Sequence, residues 1–293
     1  DLALITQLNS LDLIRLMIIN ALIHICVGIE IYFLLRKLNL KKLPWIEWFN
    51  IYSATRFLNI HIAQGGNLYR SVQLKNNYNF SYTKTIAFLF LFSGLQIIYS
   101  IIFVLVITTF FAEPIPIKGI PLNLLLACVL IGSLMLMVIF LKIMKNINVQ
   151  HQKLIRINEF ARNFVSSIML ILKDPKFMLM IIFFNVLIFF LTTLQVLYSM
   201  EIVSIKLTLL QASIFIIFTL FSGLVNITPA NLGITEFIYG FSAQYFGSTL
   251  GKGVIAAGIM RIINYVVIMA FAILCYGLAK LIKKHPPQHI TSN

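Results

Sequence analysis

Phe177 to Met200 contains no charged residue, and neither does Thr85 to Phe111. An apolar run of about 20 residues is what a helix needs to cross a hydrocarbon core. Several such runs recur along the 293 residues. With 60% hydrophobic and only 11% charged residues, no soluble domain of this size has surface enough to hide them. Transmembrane β-barrels alternate in segments of roughly 10 residues, and that pattern is absent. The expected class is therefore all-α: a polytopic integral membrane helix bundle.

The net charge of +14 sits mostly in short segments beside the apolar runs. That pattern sets topology and attracts anionic headgroups. It does not point to nucleic acid, which is not expected as a partner. Cys26, Cys128 and Cys275 all lie within apolar runs and are expected to be buried small hydrophobes. No metal-ligand spacing joins the histidines His24, His61, His151, His285 and His289, and no Ser/His/Asp arrangement is visible. Neither a cofactor nor enzymatic activity is expected. No positively charged stretch followed by a cleavage site is visible before the first run, so no signal peptide is expected.

The first span runs from about Leu13 to Leu35 and ends in the basic stretch RKLNLKK. Ile46 to Ala63 is apolar on one side only, because Asn50, Ser53, Arg56, Asn59 and His61 occupy the other. It ends at Gly65-Gly66, and SVQLKNNYNFSYTK after it is too polar to span. Spans follow at about 85–111, 121–141, 177–200, 207–225 and 254–279. Between the second and third of these spans lies the basic segment 142–176, whose FARNFVSSIMLILK portion reads as an interfacial amphipathic helix. Residues 1–281 are expected to form one transmembrane domain. Its parts are a first half at about 11–120, a linking helix at 121–141, the basic segment, and a second half at about 177–281. Residues 282–293 read as a polar tail.

Loop charge orders these spans. With Arg36–Lys42 inside, a single crossing by Ile46–Ala63 would leave the basic 142–176 segment outside. A hairpin that enters and returns at Gly65-Gly66 keeps all the basic segments, and the C-terminus, cytoplasmic. The second half then runs with the opposite polarity, and a polar break, NITPANLGITE at Asn226–Glu236, interrupts it in turn. The halves are expected to be inverted repeats, each with a broken or re-entrant hairpin, and the substrate site to lie where the breaks meet.

Ionisable and polar groups at these breaks are the candidate substrate-binding residues: Arg56, Asn59, His61, Gly66 and Arg70 in the first half, and Pro229, Asn231, Gly233, Glu236 and Arg261 in the second. Guanidinium donors form a planar fork suited to phosphate. Glu236, three residues after Gly233, suits the positive end of a half-helix, as a gate or as a plain cap. Arg261, inside an apolar run, is its expected charge partner. Arg70 reads equally as an interfacial anchor, and His61 as an ordinary polar residue. Glu30 is expected to pair locally with basic residues near the end of the first span. Trp45 and Trp48 are expected in an interfacial belt.

These motifs resemble those of the membrane region of lysylphosphatidylglycerol synthases, a flippase-like family also found as stand-alone proteins. TPANLGITE keeps Pro229, Gly233 and Glu236 of that family's second-half motif, with Ala230 and Asn231 in place of its central glycines. AQGGNLYR keeps Gly66 and Arg70 of the first-half motif, with Asn67 in place of its acid. The family's arginine in the last core helix is similar to Arg261 in GIMRIINY. The resemblance covers about residues 1–281 and implies one further helix before Asp1. It implies movement of a phospholipid or polyprenyl-linked lipid between leaflets of a bacterial or archaeal cytoplasmic membrane. Membrane lipids with anionic headgroups are then the expected partners. The alternative is a non-catalytic membrane subunit assisting a lipid-modifying enzyme or glycosyltransferase, docked through the basic segment.

Overall fold

The computed structural model describes residues 9–40, 43–110, 116–117, 120–146, 155–225 and 228–284. Apart from a two-residue ladder pairing Pro116 with Pro121 and Ile117 with Ile120, these residues form helices and their connections. The order is α1 (Ser10–Lys37), α2 (Trp45–His61), α3 (Gly65–Tyr78), α4 (Tyr82–Phe110), α5 (Leu122–Asn146), α6 (Ile155–Leu172), α7 (Pro175–Glu201), α8 (Leu209–Val225), α9 (Ile234–Tyr245) and α10 (Leu250–Lys284). Hydrocarbon offers backbone groups no water, so helices that satisfy their own hydrogen bonds are the available solution. Among the described residues α1, α4, α5, α7 and α10 are long and apolar enough to cross a membrane.

Side-chain caps fix where two of the long helices start. Asn9 Oδ1 accepts from Leu11 N at 3.1 Å, and Asp174 Oδ1 accepts from Phe177 N at 3.1 Å, with Pro175 in the first turn of α7. Left-handed residues fix where they stop. Asn39 (φ 75°) ends α1, with Leu40 N bonded back to Leu35 O; Ser204 (φ 61°) ends α7, with Ile205 N bonded back to Met200 O. Both are Schellman-type stops with a buried apolar residue just beyond.

The same order of lengths occurs twice. Helices of 28, 17, 14 and 29 residues (α1–α4) are followed, after α5 and α6, by helices of 27, 17, 12 and 35 (α7–α10). The leading helices of the two sets, α1 and α7, pack antiparallel. Lys37 at the end of α1 forms an ion pair with Asp174 at the start of α7, Glu30 meets Asn185, and Leu16 shares a buried cluster with Val196 and Met200.

One buried cluster joins α1–α4, α6 and α7; another joins α7–α10 with Leu16; a small third one ties α4, α5 and α8. Beyond Leu122 and Leu126, α5 leaves most of its apolar side chains exposed, the face of a helix against lipid. The amphipathic helix expected within 142–176 is α6. Ala161, Phe164, Ile168 and Ile171 form its buried face, while Arg162 and Asn163 are exposed.

Three expectations are corrected. Cys128 is exposed, because it lies on α5, which has few neighbours; Cys26 and Cys275 are buried as expected. Trp48 is fully buried, and its indole N–H donates to Gly28 O at 2.8 Å, so only Trp45 of the two tryptophans is exposed. The first hairpin turns at Ile62–Gln64, with Gln64 left-handed (φ 59°); Gly65 and Gly66 already belong to α3. The polar stretch from Ser71 onwards is therefore helical as far as Tyr78. The hairpin closes at its base, where the Tyr78 hydroxyl donates to the Glu47 carboxylate. Gly66 is required where the arms cross: an added Cβ would overlap the Thr55 carbonyl oxygen.

Candidate functional site

The break between α8 and α9 is held open by backbone strain and closed by a charge pair. Residues 226–227 of the NITPANLGITE segment lie outside the described residues. Pro229–Asn231 forms a 3-10 turn in which Ala230 (φ 49°) and Asn231 (φ 54°) are left-handed, and Gly233 follows at φ 86°. Non-glycine residues in this region are disfavoured and need support. That support is local. Glu236 Oε2 accepts from Gly233 N at 2.7 Å, which caps α9. Glu236 Oε1 accepts from Arg261 Nε at 3.0 Å and Nη2 at 2.5 Å, and Arg261 Nη1 donates to Ala230 O at 3.2 Å.

The sequence-expected pairing of Arg261 with Glu236 is thus present, and it reaches across from α10 to the turn itself. Both carboxylate oxygens are engaged. In this conformation the pair is a latch on the break, with its side chains about a quarter exposed (26% and 23%). Asn231 Oδ1 is buried with no hydrogen-bond partner, and Pro229 is exposed at the turn. The turn packs against α2, so the second break meets the first hairpin's leading arm.

In the first hairpin one guanidinium is buried, that of Arg70, and a second, that of Arg56, is half-buried. Arg70 is 4% exposed; Nη2 donates to Asn67 Oδ1 at 2.9 Å, Nε has no partner, and the group lies over the Phe88 ring at 5.1 Å. Arg56 donates from Nε to the Tyr52 hydroxyl at 3.2 Å and lies over the same ring at 5.3 Å. The two arginines are close enough to repel one another. Among the described residues neither forms an ion pair with a carboxylate. Unpaired buried charge is costly, and Asn67 occupies the position at which an acid would have neutralised Arg70.

The remaining candidates divide by role. Asn59 Oδ1 accepts from Gly66 N at 2.8 Å, which ties the two arms together beside their crossing. His61 is exposed and its Nδ1–H donates to Phe57 O at 3.0 Å, with its ring against Tyr265 of α10.

Sequence reasoning missed a polar chain that links both sets of helices. Arg56 Nε–H donates to Tyr52 Oη, Tyr52 lies 3.3 Å from His24 Nδ1, and His24 Nε2 lies 2.9 Å from Asn264 Oδ1. A donor at Nε2 makes Nδ1 the acceptor for the tyrosine proton. The chain crosses α2, α1 and α10, and separations of 28 and 240 residues leave no local pattern to read. The clue in the sequence was His24 itself, a polar ring inside an apolar run. Glu30 is also corrected: its partner is Asn185 Nδ2 at 2.8 Å on α7, not the basic end of its own helix. It is 1% exposed, since the α1–α7 contact covers it before the interface is reached.

Comparison with curated proteins and with solved structures gave no match. The spans and the polar breaks are those of an integral membrane protein, and residues 2–272 match the family described as the lysylphosphatidylglycerol synthase TM region. The chain belongs to that family.

Proposed function

We propose that this chain is a flippase-like transporter that moves an anionic phospholipid or polyprenyl-linked lipid between leaflets. In this reading the two sets of helices are inverted repeats. The first hairpin re-enters from the face that carries Lys37 and Asp174, which is cytoplasmic, and the second from the opposite face. The antiparallel packing of α1 on α7 and the repeated order of helix lengths support it. So does the return of the first hairpin to its own base through Tyr78 and Glu47.

The observation that carries the proposal is the buried Arg70 guanidinium with the half-buried Arg56 beside it, neither paired with a carboxylate among the described residues. A lipid phosphate supplies the missing counter-charge, and its oxygens accept from the unused N–H groups, including Arg70 Nε. Family membership agrees with a lipid-handling membrane domain. Arg261 is not proposed as a headgroup ligand, because its donors already hold Glu236 and Ala230.

The test is transbilayer movement of labelled lipids in proteoliposomes. Phosphatidylglycerol and a polyprenyl phosphate are the anionic probes, and a neutral glycolipid is the control. Wild-type protein is expected to accelerate an anionic probe, Arg70→Lys to retain part of that rate, and Arg70→Ala to lose it while remaining folded. Failure of every probe to move faster than in protein-free vesicles would overturn the proposal.

A further inference from the structure

The seam between α1 and α7 carries a buried carboxyl group that the headgroup site does not use. Glu30 Oε1 accepts from Asn185 Nδ2, which also donates to Ile181 O at 2.9 Å; Oε2 is buried and has no partner. The groups facing Glu30 are Cys26 on its own helix, Asn185 on α7 and Tyr99 on α4, all neutral. From α2, α6 and α10 no charged group is recorded against it among the described residues; Lys37, two turns on, pairs with Asp174. An ionised carboxylate there would have no counter-charge in a medium of low dielectric.

The second half carries a telling equivalent. Glu30 stands nine residues before the left-handed Asn39 that ends α1. Gln195 stands nine residues before the left-handed Ser204 that ends α7. In the same count Asn20 corresponds to Asn185. Asn20 and Asn185 are both buried, and Asn20 Oδ1 and Gln195 Nε2 are buried without partners. One seam thus presents Glu with Asn at one level and Gln with Asn at the related level. Glutamine has the shape of a protonated glutamate, so the fold already accommodates the neutral form at this position.

We propose that Glu30 is a proton-carrying site: neutral while α1 and α7 are seated together, and releasing its proton as the seam opens. Two independent halves of the statement are tested separately. That seam opening accompanies lipid movement rests on the function proposed above; the proton site and its link to the seam do not.

Infrared spectroscopy of the protein in nanodiscs at pH 7, without added lipid probe, reads the protonation state directly. The carbonyl stretch of a protonated carboxylic acid is expected in wild type, retained in Glu236→Gln and lost in Glu30→Gln. Absence of the band in wild type, or its bleaching by sodium ions, overturns the proposal; the second result would make this a cation site. Amide hydrogen exchange across 16–34 and 181–200 reads the seam. The open seam binds one proton fewer between the pH at which Glu30 titrates when exposed and the higher pH at which it titrates when seated, so over that interval opening rises up to about tenfold per pH unit relative to Glu30→Gln. Equal pH dependence in the two proteins overturns the coupling. Should Glu30→Gln misfold, Asn185→Leu serves instead: it keeps the carboxyl, removes its one hydrogen bond and is expected to shift the band. If both readouts hold while no lipid moves, the transport reading falls and the proton site stands.

Discussion

Replacing Glu236 with Gln removes a charge and reverses one hydrogen-bond direction, and the cost can be worked from the latch geometry. The carboxylate accepts three N–H groups: two from Arg261 on Oε1 at 3.0 and 2.5 Å, and one from Gly233 on Oε2 at 2.7 Å. Glutamine keeps one accepting oxygen, so its NH2 must face either the guanidinium or the Gly233 N–H, donor against donor. A hydrogen bond to a charged group contributes about 1.5–3 kcal/mol. Stripping a buried pair of one member costs about 3–5 kcal/mol. Here both side chains are about a quarter exposed, so the pair is not fully desolvated and the cost is smaller. The expected loss is about 2–3 kcal/mol, confined to the turn and the start of α9. At 1.4 kcal/mol per factor of ten, local opening rises roughly 30- to 150-fold. Hydrogen exchange over 232–240 measures it, with 16–34 as an internal reference. A cycle with Arg261→Met and the double variant isolates the pair, for which coupling of about 1–3 kcal/mol is expected. Coupling indistinguishable from zero would refute the latch, because it would mean that Ala230, Asn231 and Gly233 hold their left-handed geometry without it.

Other outcomes follow from neighbouring contacts. Gly66→Ala forces a methyl group into the Thr55 carbonyl oxygen; overpacking of this kind costs about 1–3 kcal/mol and is expected to lower the thermal midpoint in detergent. Asn59→Leu removes the acceptor for Gly66 N, leaving a buried donor unpaired at about 1–3 kcal/mol, and is expected to raise hydrogen exchange at 62–70. The Lys37 ammonium, then the Phe177 N–H, hold the Asp174 carboxyl below its ordinary range. A depressed value means the bridge contributes at all pH above the unfolded value and is lost as pH falls through the folded one. Exchange at the start of α7 is therefore expected to be flat near neutrality, to rise in acid, and to lose that acid response in Asp174→Asn.

The long helices were legible because lipid leaves a helix no alternative partner for its backbone. The expected spans differ from α1, α4, α5, α7, α8 and α10 by at most about five residues at either end. The second hairpin was legible because Pro229 and Gly233 break an apolar run in plain view. The first was read as ending at Gly65-Gly66, since glycine pairs usually mark turns. The chain instead uses Gln64 for the left-handed residue and keeps Gly66 for close crossing of the arms, a tertiary demand that local sequence does not display. Glu30 was misread for the same reason: nearby arginine and lysine suggested a local pair, while its partner stood 155 residues away on another helix.

The site changes meaning once its charges are traced to their partners. Sequence alone offered Glu236 as a gate or a plain cap, with Arg261 as its charge partner. Its oxygens and the donors of Arg261 are satisfied by one another and by the turn they hold. Arg70, which sequence offered equally as an anchor, and Arg56 carry the charge that no carboxylate among the described residues pairs with. Asn67 makes that difference: an acid at its position would have given the first hairpin a latch like the second. Asn67→Glu is thus the substitution that separates the two roles. A carboxylate one turn from Arg70 is expected to pair with it, stiffen the first hairpin against hydrogen exchange, and abolish acceleration of an anionic lipid. Stiffening with lipid movement unchanged would mean that Arg70 is an anchor and that the headgroup is held elsewhere.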